Sequence, residues 1–123
     1  MPLVANGDVR SLDDVERIHE RTGVSGAMAA RGLLENPAMF AGYSQTPDEC
    51  INDYVYTALQ LGTKYEVFWK TLQWMLGETL NKADRIEFNS NASVAGCVDF
   101  LRSRGLSLEP SSRLLPLSPL SVK

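Results

Sequence analysis

Two short apolar runs near the N-terminus flank a segment whose apolar residues repeat with a helical period. The runs are Leu3–Ala5 and Val24–Ala29, and the segment between them carries Leu12, Val15 and Ile18. Residues spaced by three lie on one face of a helix, whereas short continuous apolar runs are typical of buried strands. The pattern therefore predicts two buried parallel strands joined by an amphipathic helix, which is a βαβ unit.

After the second apolar run, the pattern of apolar residues becomes helical. One helical turn is predicted over Asn36–Phe40, with Pro37 in its first position. The residues Thr46-Pro47-Asp48-Glu49 match a capping box, which predicts a helix from there to Gly62. Two further helices are predicted, over residues 65–80 and from near residue 90 to residue 105. The predicted core positions of these three helices are Ile51, Tyr54, Val55, Ala58, Leu59, Phe68, Leu72, Met75, Leu76, Val94, Cys97, Val98 and Leu101.

The last segment of the chain, residues 107–123, consists mainly of Ser, Leu and Pro. This composition does not sustain a helix or strand pairing, so we predict a disordered tail. Pro116 and Pro119 match the PxxP pattern, which is common by chance. The chain therefore divides into three predicted regions: an α/β region over residues 1–42, an all-helical region over residues 43–106 and the tail.

Composition and charge narrow the class of protein. The chain has 123 residues, the size of one domain, of which 44% are apolar and 22% charged. Its net charge of −3 gives no electrostatic signature of nucleic-acid binding. No apolar run approaches the roughly 20 residues of a membrane span, and no signal peptide is recognisable. We therefore expect a cytoplasmic protein in an intracellular, reducing compartment, with no membrane partner.

The cysteines and the one histidine do not suggest a metal site. Cys50 and Cys97 lie far apart in predicted helices and form no CxxC pair. Cysteines in such positions are ordinarily small buried hydrophobic residues. His19 lies among acidic residues on the first helix and is predicted at the surface. No metal is expected.

Two loops with polar residues follow the predicted strands. Asn6-Gly7-Asp8 follows the first strand, and Ala30-Arg31-Gly32 follows the second. In parallel sheets, the loops after neighbouring strands meet at one edge, where ligands bind. Glycine permits close approach of backbone N–H groups, and arginine supplies a forked cationic donor, so the loops are a candidate phosphate site. The alternative is that the glycines serve turns and that Arg31 is solvated or pairs with Glu35.

Residues 2–42, PLVANGDVRSLDDVERIHERTGVSGAMAARGLLENPAMFAG, resemble the tRNA-dihydrouridine synthase family. The segments ANGDV and MAARGLLENPAMF, at this separation, carry the resemblance. The form MAARG and the later run EFNSNASVAGCVDFL are most similar to the 20a/20b subgroup. The resemblance implies that residues 1–42 are the C-terminal end of a TIM (β/α)8 barrel, followed by the family's helical region.

The resemblance also implies a flavin enzyme that uses FMN and NAD(P)H to reduce the C5–C6 double bond of uridines in tRNA. In this family, the residues that match the two loops hold the phosphate and ribityl end of FMN. In this chain those residues are Asn6, Gly7, Asp8, Ala30 and Arg31. Ala30 departs from the pattern, because many relatives have glycine there, so a backbone contact at this position is expected to differ.

The family's catalytic cysteine, together with a lysine and a histidine near the flavin, lies on earlier barrel strands. Cys50, Cys97 and His19 fall outside those motifs, so no catalytic residue is expected in this chain. An eight-stranded barrel has no edges, whereas two strands leave two open edges that favour aggregation. We therefore expect a fragment, a splice product or a mispredicted reading frame. Its first 42 residues should fold poorly alone and would need a partner chain that supplies the missing strands.

The helical region of the family helps to bind tRNA. The basic residues that could contact phosphates in this region are Lys64, Lys70, Lys82, Arg85, Arg102 and Arg104. The aromatic residues in this region are Tyr65, Phe68, Trp69 and Trp74, for which core packing is favoured over base stacking, with Trp69 a candidate for exposure. Two alternatives stay open: a catalytically inactive RNA-binding or dimerising fragment, and a piece of another FMN-dependent barrel oxidoreductase.

Overall fold

The computed structural model describes residues 1–111, in which a two-stranded parallel sheet with one crossover helix is followed by a group of helices. The elements are β1 (Val4–Asn6), α1 (Leu12–Thr22), β2 (Gly26–Met28), α2 (Arg31–Glu35), α3 (Asp48–Leu61), α4 (Tyr65–Leu76), α5 (Lys82–Asn89) and α6 (Val94–Ser103). A turn of 3-10 helix, Met39–Ala41, lies between α2 and α3. The mixed α/β class is confirmed, whereas the closed barrel stays a prediction.

The βαβ unit forms as the sequence predicts. Val4 of β1 pairs with Gly26 of β2 in a parallel register. Ser11 caps α1, its hydroxyl accepting a hydrogen bond from the backbone N–H of Asp14 at 3.2 Å. Gly23 ends the helix in the left-handed conformation, with φ of 69°. These local signals position the ends of both strands.

The prediction that both strands are buried is wrong. The side chains of Leu3, Val4 and Met28 are 59%, 65% and 52% exposed. Within residues 1–111 the sheet has only these two strands, so nothing further packs on its open face or edges. Apolar strands of parallel sheets are normally buried on both faces, whereas these two strands are largely exposed.

The core lies among α3, α4, α5 and α6. Its most deeply buried side chains include Val55, Phe68, Leu72, Phe88 and Cys97. The predicted core positions are buried or packed against this cluster, except for Leu59, which is 52% exposed. Leu59 lies close to the end of α3, two residues before its last residue.

Four helices form the helical region where three were predicted. The helix predicted over residues 65–80 ends at Leu76, and α5 begins at Lys82. The side chain of Asn81 caps α5, accepting a hydrogen bond from the N–H of Asp84 at 2.8 Å. The last helix begins at Val94 with Ser93 as its cap, which is later than the predicted start near residue 90.

Two further local predictions differ from the structure. Thr46 does not cap α3: its hydroxyl donates a hydrogen bond to the backbone oxygen of Glu35 at 2.6 Å. The helical turn predicted over Asn36–Phe40 with Pro37 in its first position forms later, as the 3-10 turn Met39–Ala41 that follows α2. Thr46 therefore ties the end of α2 to the start of α3.

The first residues of the predicted tail contact α3. The backbone N–H of Leu108 donates to Oδ1 of Asn52 at 3.1 Å. The backbone N–H and the hydroxyl of Ser111 donate to the carboxylate of Asp53 at 2.6 and 2.8 Å. Residues 107–111 form no helix or strand, and the disorder of the segment stays a prediction. The rest of the predicted tail, including Pro116 and Pro119, lies outside the described residues.

Among residues 1–111, no helix combines the length and the apolar character that crossing a membrane requires. Over the same residues, no three His, Cys, Asp or Glu side chains are grouped closely enough to hold a metal ion.

Candidate functional site

The parallel register brings the loops after β1 and β2 to the same edge of the sheet. Asn6, the last residue of β1, pairs with Met28, the last residue of β2. Across this edge, Nη2 of Arg31 donates a hydrogen bond to Oδ1 of Asp8 at 3.3 Å. The two predicted loops therefore lie side by side, while their role in binding stays a prediction.

A second arginine, Arg10, shares the same carboxylate oxygen. Its Nε donates to Oδ1 of Asp8 at 3.2 Å, and its Nη1 donates to Oε2 of Glu35. The hydrogen bond to Glu35 raises the pKa of Arg10, and the charge of Asp8 adds to this. Arg31 pairs with Asp8 and not with Glu35, whereas its exposure agrees with the alternative in which it is solvated. Sequence reasoning did not single out Arg10, although its place two residues after Asp8 was a signal.

The two glycines of the site have different surroundings. No atom lies within 4 Å of the position that a Cβ would take on Gly7, so the space above it is open. A Cβ on Gly32 would instead collide with the backbone oxygen of Val9. Gly7 is therefore suited to the close approach of a ligand, whereas Gly32 allows the two loops to pack against each other.

The backbone around Asp8 is held in an uncommon conformation. Asp8 has φ of 50°, a left-handed value that aspartate tolerates better than most residues. Two residues later, the backbone N–H of Arg10 donates to Oδ2 of Asp14 at 2.9 Å, and this hydrogen bond lowers the pKa of Asp14. The start of α1 thus anchors the loop that carries Asp8 and Arg10.

The exposed groups of the site suit a phosphate better than a whole flavin. The side chain of Arg31 is 65% exposed, and Asn6 and Ala30 are also exposed. The guanidinium and the open space above Gly7 fit an anion, although the carboxylate of Asp8 lies at the same place. A cavity of about 160 Å³ adjoins Arg10 and Glu35 and reaches Thr79 beyond the end of α4. The site is therefore open to solvent and continues towards the helical region.

Two of the predicted tRNA-contacting cations are engaged within the fold. The guanidinium of Arg104 donates to Asp84 at 2.6 Å and to Glu87 at 2.8 Å, and lies 4.8 Å from the ring centre of Phe100. Arg85 donates to the backbone oxygen of Gly77 at 2.7 Å. These two arginines join α4, α5 and α6. The remaining predicted cations are exposed and form no ion pair within residues 1–111: Lys64, Lys70, Lys82 and Arg102.

The aromatic residues of α4 serve mainly in packing. Phe68 is in the core, stacked with Tyr54 at a ring separation of 5.9 Å. Trp69 was a candidate for exposure, but it is half-buried against the core, with its Nε1 shielded from solvent. Trp74 is half-buried and forms a surface depression with Lys70. Trp74 therefore lies beside an exposed cation, Lys70.

The cysteines and the histidine take the roles predicted for them. Cys97 is fully buried in the core, and burial raises the pKa of its thiol. Cys50 is half-buried, and its thiol pKa is also raised, mainly by burial. His19 is exposed, and its Nδ1 lies 2.8 Å from the backbone oxygen of Val24. None of the three lies in the two loops.

Comparison with known proteins identifies the family. The family model for dihydrouridine synthases matches residues 1–94, from β1 into the first residue of α6. A human protein named tRNA-dihydrouridine(20a/20b) synthase (NAD(P)+)-like is 46% identical over 101 residues, which cover 82% of this chain and 32% of that protein.

Two further relatives agree with this match. The Schizosaccharomyces pombe tRNA-dihydrouridine(20a/20b) synthase (NAD(P)+) is 39% identical over 123 residues, covering 100% of this chain and 37% of the relative. A rat tRNA-dihydrouridine(16/17) synthase (NAD(P)(+))-like protein is 47% identical over 55 residues, or 45% of this chain and 13% of that protein. The chain thus spans about a third of the length of the 20a/20b relatives. The chain belongs to the dihydrouridine synthase family, and within it the chain is most similar to the 20a/20b subgroup.

Proposed function

We propose that this chain carries the flavin-phosphate loops and the tRNA-facing helices of a tRNA-dihydrouridine synthase, an enzyme that reduces uridine to 5,6-dihydrouridine in tRNA. The observation that carries the proposal is the contact of Arg31 with Asp8, which joins the two predicted loops at one sheet edge. Family membership supports the reaction class. Another FMN-dependent barrel oxidoreductase is disfavoured, because the family match extends through α5 into the helical region.

In this proposal, the phosphate of FMN lies against Gly7 and accepts hydrogen bonds from Arg31. Gly7 offers open space, and Arg31 offers an exposed guanidinium that matches phosphate geometry. Asn6 and Ala30 precede Gly7 and Arg31 in the sequence and are exposed, so they are proposed as further contacts. Asp8 is the partner of Arg10 and not a phosphate ligand, since a carboxylate would repel a phosphate. Bound FMN supplies the hydride carrier between NAD(P)H and the uracil ring.

The test of the cofactor loops is FMN binding by the purified 123-residue chain, followed by flavin fluorescence. Arg31→Ala should weaken binding about tenfold or more, because it removes charge-assisted hydrogen bonds to phosphate. Arg102→Ala is the matched control, since Arg102 is an exposed arginine on α6, outside both loops. Equal affinities for the wild-type chain and Arg31→Ala would contradict the proposal.

We expect no turnover from these 123 residues by themselves. The resemblance assigns the general-acid cysteine to an earlier barrel strand, and both cysteines of this chain lie in the helical region. Burial raises the pKa of both thiols, which opposes the thiolate form and makes them poor reactive groups.

The exposed apolar strands support a second proposal, in which a partner chain supplies further barrel strands.

The tRNA-facing surface is proposed on α4, α5 and α6. Lys64, Lys70, Lys82 and Arg102 are its candidates, since their side chains are exposed and available to phosphates. An RNA-binding fragment without catalysis is the second candidate function, and the same four cations favour it. Arg85 and Arg104 are weaker candidates because their guanidinium groups hold the helices together.

Binding of the full chain to unmodified tRNA at several salt concentrations tests this surface. Lys70→Glu should weaken binding and reduce the slope of log affinity against log salt by about one. Arg17→Glu, a charge reversal on α1, is the control for net charge. If both variants lose affinity equally, net charge and not this surface governs binding.

A further inference from the structure

We infer that Arg10 is a positioning residue of the proposed phosphate site: by occupying Asp8, it leaves Arg31 able to turn towards an anion. The inference rests on the proposed function, because it assigns a role within that same site. It differs from the phosphate contact itself, which is proposed for Arg31. The inference is based on the geometry around Oδ1 of Asp8, which both arginines contact.

The two arginines hold Asp8 unequally. Arg10 is fixed at three points: Nε to Asp8, Nη1 to Glu35 and its backbone N–H to Asp14. Arg31 makes a single contact, at 3.3 Å, with the oxygen that Arg10 already uses. The side chain of Arg31 is 65% exposed, whereas that of Arg10 is 40% exposed. Arg10 is thus the fixed partner of Asp8, and Arg31 is the loose one.

The charges explain why this arrangement matters for an anion. Without Arg10, the full charge of Asp8 would act on Arg31 and would repel a phosphate at the same place. With Arg10 in position, its positive charge offsets most of the negative charge of Asp8. Asp8 therefore attracts Arg31 less strongly. Glu35 keeps Arg10 in this position, and Thr46 in turn holds the backbone of Glu35 from the start of α3.

A purely structural role for Arg10 makes a different prediction. If Arg10 served only to fasten the loop to Glu35, its removal would loosen the loop whatever charge Asp8 carried. If Arg10 acts on Arg31 through Asp8, neutralising Asp8 removes the need for Arg10. A double-mutant cycle separates the two roles.

FMN affinity of the full chain is measured for the wild type, Arg10→Ala, Asp8→Asn and the double variant. Arg10→Ala alone should weaken FMN binding about 2- to 5-fold, the size expected for an exposed ion pair. In the Asp8→Asn background, Arg10→Ala should have no further effect. An undiminished loss in that background would overturn the inference.

A second measurement does not depend on the cofactor. NMR relaxation of the Arg31 guanidinium measures how rigidly Asp8 holds it. Because Arg10→Ala leaves Arg31 as the remaining arginine on Asp8, the variant should make the Arg31 guanidinium more rigid. Arg102, exposed on α6, provides an internal reference in the same spectrum. An unchanged Arg31 signal would overturn the inference. A rigid Arg31 in a chain that binds no FMN would support the inference and count against the proposed function alone.

Discussion

The backbone oxygen of Val9 occupies the space into which a Cβ on Gly32 would project. The loop after β1 and the first turn of α2 therefore touch backbone to backbone. This contact sets Arg10 and Arg31 close enough to share one carboxylate oxygen of Asp8. The candidate site thus depends on a glycine that itself touches no ligand in the proposal.

Gly32→Ala should separate the two loops, at a cost of about 1–3 kcal/mol, which is typical of overpacking. The added methyl group meets main chain, which cannot move aside as a flexible side chain would. Two-dimensional amide spectra should show displaced signals for Val9 and Arg10. Gly7→Ala is the matched control, because its Cβ would enter open space. Unchanged Val9 and Arg10 signals in Gly32→Ala would contradict this packing.

Asp14 should titrate below the ordinary aspartate pKa of 3.8, because the backbone N–H of Arg10 donates to its carboxylate. A depressed pKa in the folded state means that the contact stabilises the fold above the unfolded pKa. That stabilisation is lost as the pH falls through the folded pKa. The carboxyl carbon shift of Asp14 measures the midpoint directly. A midpoint at or above 3.8 would show that this anchor of the loop does not form.

Phe88→Ala should destabilise the helical region by about 3–5 kcal/mol, since Phe88 is fully buried and packs against Phe100 with ring centres 5.4 Å apart. Ile86→Ala on the same helix is the control, because Ile86 is 62% exposed. It should change stability by less than about 0.5 kcal/mol. Urea unfolding followed by tryptophan fluorescence gives both values. Similar losses in the two variants would contradict the assignment of the core.

Backbone amides of β1 should exchange with solvent much faster than those of the helical core. β1 has one strand neighbour within residues 1–111, and its apolar side chains are exposed. Leu72 and Leu101, both buried, provide the comparison. Hydrogen exchange of the isolated monomer makes the measurement. Strong protection of Leu3–Ala5 would show that the α/β region is stable without further strands.

Local signals account for the parts of the fold that the sequence predicted well. Ser11 and Gly23 mark the ends of α1, and their roles depend only on neighbouring backbone atoms. The pairing of β1 with β2 follows from the length of the crossover. Burial of Phe68 and Leu72 follows from the spacing of apolar residues along one helix.

The predictions that failed depend on contacts between distant residues. Thr46 has the sequence of a helix cap, yet its hydroxyl is taken by Glu35, eleven positions earlier. The strands β1 and β2 have the apolar sequence of buried strands, yet Leu3, Val4 and Met28 are exposed because no further strand or layer covers them within residues 1–111. At the candidate site, spacing placed Arg31 near the first loop, but only the folded chain shows that Arg10 competes for the same carboxylate.

If the two strand-end loops form a phosphate site, the chain should distinguish FMN from riboflavin. Riboflavin lacks the phosphate and is otherwise the same flavin. We expect the full chain to bind FMN about tenfold or more tightly than riboflavin, and Arg31→Ala to abolish this preference. Equal affinity for the two flavins, no binding of either, or a preference that survives Arg31→Ala would contradict this expectation.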